Sequence, residues 1–359
     1  MCGRFALGVN LNDLPAEFTN TVYNQGGGGD RENTSRNELI NSSEGVYNSE
    51  VRGSEEDLIR IQFDSSRVQR WDGSYNIAPT NTGLIVYMIN TSNVDYSYVL
   101  EPSKFGMVPF WAKPNDPTAT ANGGKYSKEL QRTESRYFNC RKESLESGQA
   151  VWSSSKKRNR CVVPIQGYFE WLKSKSEKTP HYIHSTKSSL IYLAGMYSHN
   201  SNYTENYNVK SEYLSSFTIV TGPAISTDTG DISWLHERKP ILLEPGTKAW
   251  YDWLDPNKPW SDSMLKDVLD TTHNKAYIDI EGYPVSNDVG NPKNKGETNI
   301  KKQKKTQRDI SSFFTPTKKR VKEEDSPETS AKKLKTENVG EVNSPTKANN
   351  HTTYVKKEE

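Results

Sequence analysis

The sequence has few cysteines and no long apolar segment. Three cysteines occur among 359 residues, Cys2, Cys140 and Cys161, and no pair is spaced as Cys-x-x-Cys. This argues against a disulfide framework and is typical of a reducing compartment. No apolar run reaches the length of a membrane span, and no signal-peptide core is present. We therefore expect a soluble intracellular protein.

Hydrophobic residues are also scarce, at 32% of the chain with a mean hydropathy of −0.87. Such values predict that part of the chain is disordered. Beyond Gly296 aromatic residues become rare, so a folded domain is predicted over 1–296 and a disordered basic tail over 297–359. Residues 301–359 hold 15 basic and 9 acidic residues, a net charge of +6. Residues 24–66 hold 4 basic and 9 acidic residues, a net charge of −5, and are predicted to be a flexible acidic insertion.

No metal or cofactor site is predicted. His181 and His184 in PHYIH are three residues apart on a strand-like run, which places them on opposite faces. No cysteine is spaced to join them as a zinc ligand.

Short β-rich runs dominate the domain. The segments RCVVPIQGYFEWLK, PHYIH, LIYLAGMYS and SSFTIVTGPAI are separated by turn residues. Short helices are predicted at LNDLPAEF, EPGTKAWYDWL and SDSMLKDVLDTT. Many short strands with few helices favour a β-rich α+β domain over a doubly wound sheet.

The position of Cys2 suggests unusual chemistry. If Met1 is removed, Cys2 carries both a free α-amine and a thiol. The amine, with an ordinary pKa of about 7.7–8.0, can attack an aldehyde to form a Schiff base. The thiol of the same residue can then close a five-membered thiazolidine ring. Two alternatives are an ordinary cysteine behind a retained Met1 and a thiol nucleophile that hydrolyses peptide bonds.

Other polar residues are candidates for assisting this chemistry. Glu170 lies among aromatic residues in GYFEW, where a carboxylate suits acid–base work. His236 and Arg238 lie in SWLHERKP, and Asn139 and Arg141 in FNCRKES. Each signal is weak alone, because an exposed strand glutamate or a surface histidine is the commoner explanation.

Nine motifs in a fixed order make the combination specific. MCGRF, YNIAPT, FGMVPFWAKP, NCRKES, RCVVPIQGYFEW, LAGMY, FTIVT, HERKPILL and YPVSNDVGN extend from Met1 to about Asn291. This set closely resembles the SOS response-associated peptidase family, whose domain is called SRAP. The resemblance implies a sensor of abasic sites in single-stranded DNA, which crosslinks to the ring-opened deoxyribose through a thiazolidine. It also implies barrel-like central sheets, short peripheral helices and a positively charged groove.

The resemblance assigns roles to four catalytic residues. Cys2 is the nucleophile, and Asn139 orients the amine and the opened sugar. Glu170 is the acid and base of Schiff-base formation and reversal. His236 protonates the sugar oxygen and assists ring opening.

The resemblance also implies a set of DNA contacts. It comprises Arg4, Arg141 and Arg238 for phosphates, Trp111 for base stacking, and Asn76 and Pro79 in a block that lines the groove. ESLESGQAVW lacks a basic residue that many relatives have, and Lys156, Lys157 or Arg158 is the candidate replacement. The competing functions are a cysteine peptidase, an abasic-site lyase and a noncovalent single-stranded DNA-binding module.

The tail carries short motifs of its own. QRDISSFF, with Gln307, Ile310, Phe313 and Phe314, resembles a PIP box, the peptide that docks on the sliding clamp PCNA. KKRVK and KKQKK suggest nuclear import or DNA binding, with a simply solvated tail as the alternative. Lys322, Lys335 and Lys356 fit a sumoylation pattern. These motifs predict a nuclear protein at replication forks, and we expect it to be a monomer.

Overall fold

The protein was studied as a computed structural model. The structure describes residues 2–23, 40–42, 45–52, 58–116, 126–175, 177–206 and 209–303. The strands are β1 Phe5–Leu7, β2 Ile40–Ser42, β3 Val46–Arg52, β4 Leu58–Asp64, β5 Ser74–Ile77, β6 Thr82–Ile89, β7 Tyr96–Phe105, β8 Asn139–Arg141, β9 Arg160–Ile165, β10 Gly167–Lys173, β11 Lys178–Ser185, β12 Ile191–Asn200, β13 Glu205–Asn206, β14 Val209–Lys210, β15 Leu214–Pro223, β16 Arg238–Pro240 and β17 Ile280–Pro284.

The helices are few and short. They are α1 Leu14–Tyr23, α2 Ser127–Glu134, α3 Lys142–Glu146, α4 Ala150–Ser153, α5 Ser155–Arg158 and α6 Lys248–Leu254. A π-helical turn covers Met264–Val268, and 3₁₀ turns cover Lys275–Tyr277, Asn287–Gly290 and Glu297–Ile300. The predicted helical segment LNDLPAEF contains the start of α1, and EPGTKAWYDWL contains α6, so both predicted helices are confirmed. None of the described helices is both long and apolar enough to cross a membrane.

Five long strands close a ring. β15, β12, β9, β6 and β7 pair in that order, and β7 returns to pair in parallel with β15. A second sheet has the order β17-β11-β10-β1-β5. The predicted β-rich α+β class with barrel-like central sheets is confirmed.

Aromatic rings join the N-terminal strand to this ring. Phe5 of β1 lies edge-on to Phe105 of β7, with ring centroids 5.3 Å apart, and Phe105 stacks on Phe217 of β15 at 5.1 Å. All three side chains are fully buried. Full burial of three large rings supplies several kcal/mol of hydrophobic stabilisation, about 1.5–3 kcal/mol for each. The second residue of the chain is therefore held next to a rigid core.

The segment predicted to be a flexible acidic insertion contains strands. β3 pairs with β4, and β4 joins the ring through parallel pairing with β7. Ile61 and Phe63 of β4 alternate inward and are buried. The prediction over 24–66 is wrong for these strands because the period of two in LIRIQFD decides the local structure, whereas the acidic composition of the whole segment does not.

The described fold also continues past the predicted boundary at Gly296. The hydroxyl of Tyr283 donates to the carbonyl of Ile300 at 2.8 Å, and Asn299 is buried. The amide of Gln303 donates to the carbonyl of Pro284 at 2.9 Å. These contacts extend the folded unit at least to residue 303.

Candidate functional site

The N-terminal residues are held inside the second sheet. β1 lies between β10 and β5, with Phe5 opposite Tyr168 and Ala6 opposite Gly167. The amide of Phe169 donates to the carbonyl of Arg4 at 2.8 Å. Cys2 is fully buried, as are the other two cysteines, and all three are free thiols. Chain ends are usually frayed, so this arrangement gives Cys2 an unusually fixed position.

Asn139 binds Cys2 directly. Its Nδ2 donates to the Cys2 carbonyl oxygen at 2.9 Å. Asn139 is placed by β8, which pairs in parallel with β15 so that Asn139 lies opposite Ile219. Its Oδ1 is buried without a hydrogen-bond partner in the described part of the chain. The amide therefore fixes the backbone of Cys2 and keeps an acceptor near the N-terminal residue.

Glu170 is the acidic neighbour of Cys2. It lies on β10, is 6% exposed, and accepts a hydrogen bond from the amide of Trp171 at 3.2 Å. Burial, together with the negative charge of Glu170, raises the pKa of the Cys2 thiol to about 12. The thiol is therefore protonated near neutral pH with Met1 in place.

His236 lies on the loop that leads into β16. Its Nδ1 accepts the backbone N–H of Arg238 at 3.0 Å, so the neutral ring carries its proton on Nε2. Burial lowers the pKa of His236, and the nearby Glu170 opposes that shift. The loop is anchored by a buried ion pair between Lys239 and Asp228 at 2.9 Å. The site thus holds a neutral imidazole with a defined donor.

The lowered pKa of His236 predicts a pH-dependent stability. Between the folded and unfolded pKa values the unfolded chain binds more protons, so stability rises with pH through this window and is lost as the pH falls below about 6.5. Urea unfolding from pH 5 to 8 should show this loss in the wild type and a smaller loss in His236→Gln. His273→Gln, which changes a histidine whose side chain is 86% exposed, is the control. A steeper acid loss in His236→Gln would contradict the assignment.

A cleft of about 530 Å³ opens at these residues. It is lined by Arg141, Glu170, Trp171, Lys173, Lys178, His236, Glu237 and Arg238. Four lining residues are basic at neutral pH and two are acidic, which favours an anionic ligand. The cleft brings together the predicted residues Glu170, His236, Arg141 and Arg238. Cys2 and Asn139 do not line it, and Cys2 is linked to it through the charge of Glu170. Trp171, Lys173, Lys178 and Glu237 were not predicted.

The two predicted phosphate-binding arginines of the cleft differ. Arg141 is exposed. Arg238 has a side chain that is only 10% exposed, and it forms a two-pronged ion pair with Glu143 at 3.2 and 2.9 Å. Arg238 also donates to the carbonyl of Thr221 at 2.8 Å. Arg141 is therefore the more available cation, and Glu143 is a partner that the sequence did not reveal.

Arg4 and Asn76 bind protein groups. The Arg4 guanidinium donates to Asn76 Oδ1 at 3.1 Å and to the carbonyl of Val289 at 2.6 Å. Asn76 is fully buried, and its Nδ2 donates to the carbonyls of Val289, Asn291 and Asn294 at 3.1, 2.9 and 2.9 Å. The predicted place of Asn76 among the DNA contacts is corrected by this burial, and the phosphate contact of Arg4 stays a prediction.

Asn76→Ala is expected to destabilise the fold by about 2–4 kcal/mol, because the carbonyls of Val289, Asn291 and Asn294 and the Arg4 guanidinium each lose a fully buried partner. Denaturant unfolding measures this change. Asn93→Ala alters an exposed asparagine and should change stability by less than about 0.5 kcal/mol. Equal effects of the two substitutions would refute the anchoring role.

The other predicted DNA contacts lie on exposed turns. Pro79 is half-buried, and Trp111 is 51% exposed next to Phe110 at 50%. Asn200 holds this loop by donating to the carbonyl of Pro109 at 2.6 Å. Phe110 and Trp234, the latter 47% exposed and close to His236 in sequence, were not predicted as DNA contacts. Their positions beside the motif residues Trp111 and His236 could have indicated them.

The predicted tail motif lies outside the described residues. Gln307, Ile310, Phe313 and Phe314 fall there, as do Lys322, Lys335 and Lys356.

A buried Cys2 held by an amide beside a carboxylate, with an imidazole in the adjoining cleft, defines the candidate site of this β-rich protein. Residues 1–292 match the family described as SOS response associated peptidase (SRAP), and the chain belongs to this family.

Three relatives show the range of similarity. The abasic site processing protein YMR114C of Saccharomyces cerevisiae is 31% identical over 90% of this chain and 73% of its own length. The abasic site processing protein HMCES of Xenopus tropicalis is 27% identical over 63% of this chain and 64% of its own length. The abasic site processing protein YedK of Escherichia coli is 26% identical over 67% and 88%, respectively. The chain therefore spans less than two thirds of the Xenopus relative.

Proposed function

We propose that this protein processes abasic sites in single-stranded DNA by crosslinking itself to them through Cys2 after removal of Met1. One observation carries the proposal: Cys2 is buried and hydrogen-bonded by Asn139 beside Glu170, where a free chain end would ordinarily fray. The relatives' names as abasic site processing proteins support the choice of substrate.

The reaction starts at the amine of mature Cys2. The neutral amine attacks the aldehyde carbon of the ring-opened deoxyribose, which forms a C–N bond and then expels the oxygen as water. Glu170 delivers and removes the protons of this step, and the Nε2–H of His236 donates to the sugar oxygen as the ring opens.

The thiol completes the adduct. Sulfur adds to the imine carbon, the thiol proton passes to nitrogen, and the thiazolidine ring closes with a net loss of one water. Because both nucleophiles belong to one residue, closure is intramolecular and fast. A closed ring removes the imine that a lyase would need for β-elimination.

The protonated thiol favours this order of steps over peptidase chemistry. A cysteine peptidase needs a thiolate, whereas burial and Glu170 raise the pKa of the Cys2 thiol to about 12 in the chain that still carries Met1. An amine with an ordinary pKa of about 7.7–8.0 is neutral in roughly a tenth of the molecules or more at pH 7, and this neutral fraction attacks first.

The DNA strand enters the cleft at its basic wall. Arg141, with Lys173 and Lys178, supplies positive charge for phosphates, and Arg238 contributes within its pair with Glu143. Trp111 and its neighbour Phe110 offer exposed rings on which bases stack.

The tail suits work at replication forks. Gln307, Ile310, Phe313 and Phe314 would dock on the clamp PCNA, with one aliphatic and two aromatic anchors. The basic segments would direct the protein to the nucleus. Binding of a peptide covering 305–316 to purified clamp tests this part, and loss of binding on Phe313→Ala is the expected result.

A denaturing gel tests the crosslink. Purified protein, with Met1 removal verified by mass, is mixed with a single-stranded oligonucleotide that carries one abasic site. The expected result is a shifted band without any reductant, whose mass equals protein plus DNA minus one water. Intact DNA and an abasic analogue without the aldehyde are the controls. Binding without a shifted band would replace the proposal with a noncovalent DNA-binding module.

A further inference from the structure

A second basic cleft lies apart from the Glu170 cleft. It has a volume of about 650 Å³ and is lined by Asn90, Lys157, Arg158, Pro256, Asn257, Lys258, Pro259 and Trp260. It shares no lining residue with the first cleft, and no lining residue is acidic. Its lining therefore combines three cations, two amides and an indole.

A buried arginine builds this cleft. The Arg160 guanidinium donates to five carbonyl oxygens at 2.6–3.0 Å, those of Lys156, Lys157, Trp253, Asp255 and Lys258. These carbonyls belong to both walls, so Arg160 ties the end of α5 to the 253–258 segment. The Arg160 guanidinium also offsets the partial negative charges of these carbonyl oxygens. The cleft therefore repels an anionic ligand less.

Other contacts fix the walls and leave two cations available. Asn90 and Asn257 exchange side-chain hydrogen bonds at 2.9 and 3.1 Å. Lys258 pairs with Asp252 at 2.6 Å, which compensates its charge. Lys157 and Arg158 are exposed and form no ion pair within the described residues. They offer uncompensated positive charge on a rigid frame.

The indole of Trp260 adds a stacking surface. It is partly exposed in the cleft, and the Lys156 ammonium lies 5.1 Å from its ring centroid. Cations that alternate with an aromatic ring are typical of surfaces that track a single strand of nucleic acid.

Helix α3 connects the two clefts. Its Glu143 pairs with Arg238 of the first cleft at 2.9 Å. Its Leu145 carbonyl accepts a hydrogen bond at 2.6 Å from Lys156, which covers Trp260 of the second cleft. Glu143 and Leu145 are two residues apart, so one short helix contacts residues of both clefts.

We propose that the cleft formed by Lys157, Arg158 and Trp260 binds phosphates of the damaged strand several nucleotides away from the lesion held at Cys2. This inference rests on the proposed function for the identity of the nucleic acid. It adds a noncovalent contact that increases affinity for long strands only.

Oligonucleotide length tests the proposal with the full chain. The Lys157→Gln, Arg158→Gln double variant is compared with Lys266→Gln, Lys275→Gln, which removes two exposed charges that line neither cleft and form no ion pair within the described residues. Half-saturating concentrations for crosslinking are measured with abasic strands of about 6 and about 20 nucleotides, near the lower end of common single-strand site sizes and above their upper end. Intact strands of about 20 nucleotides give the noncovalent affinity over a salt series.

We expect the first double variant to bind the long strands about tenfold more weakly, with the slope of log affinity against log salt reduced by about 1.4, and to match the wild type on the short strand. The control variant should match the wild type on all of them. Unchanged long-strand affinity, or equal weakening on both lengths, overturns the second cleft. If the wild type binds intact DNA but never crosslinks, the proposed function fails while the cleft is still tested by the intact strands.

Discussion

Cys2→Ala is expected to abolish the stable adduct with abasic DNA completely, although it keeps a free α-amine. Without the thiol the reaction stops at the Schiff base, which reverts in water or eliminates the DNA 3′ to the lesion. The imine should become visible when borohydride is added, because reduction traps it as an amine. The readout is therefore a denaturing gel run with and without reductant, together with strand cleavage over time.

Controls separate the thiol from the fold. Cys161→Ala removes another fully buried thiol on β9 and should crosslink like the wild type, provided that its unfolding shows a folded protein. An extra residue placed before Cys2 turns the amine into an amide and should abolish both the adduct and the borohydride-trapped product. A reductant-independent adduct in Cys2→Ala would refute the thiazolidine.

Glu170→Gln is expected to slow crosslink formation by about 10²–10⁴-fold, the usual contribution of a positioned acid–base group. The amide cannot accept the proton that the attacking amine releases, nor donate one to the departing oxygen. Glutamine keeps the size of the side chain and removes one negative charge from the cleft, so DNA affinity should not fall. A lowered rate without a loss of affinity is the signature of a group that acts on the reacting atoms.

Glu237→Gln is the matched comparison, since Glu237 lines the same cleft but does not contribute to the raised pKa of Cys2. Its crosslinking rate should stay within about threefold of the wild type, because it changes only the charge of the cleft. Single-turnover time courses over a pH series measure both variants. Equal rate losses in the two variants would show that Glu170 acts only through charge.

The β-rich fold class and the candidate chemistry were accessible from sequence because both depend on local patterns. Alternating apolar residues and turn residues predict short strands, and an N-terminal cysteine carries its amine and thiol wherever the chain places it. The predicted flexible insertion over 24–66 shows where composition fails as a guide to structure. The net charge of this segment is an average over all its residues, and the seven residues of β4 form a strand in spite of that charge.

The partners of the arginines and asparagines came only from tertiary structure. Arg4 and Asn76 look like DNA contacts in the motifs, yet their side chains hold the turn at 289–294. Glu143, which pairs with Arg238, lies 95 residues away in sequence. The second cleft likewise depends on Arg160 joining segments that are about 95 residues apart.

The sequence alone determined which side-chain groups are available to the candidate site: the thiol of Cys2, the carboxylate of Glu170, the imidazole of His236 and the amide of Asn139. The tertiary structure decided which of them meet, since β1 is fixed between β10 and β5 and β8 is fixed on β15. The physical reason is that side-chain chemistry belongs to each residue, whereas burial and distance arise from long-range strand pairing that no local pattern encodes.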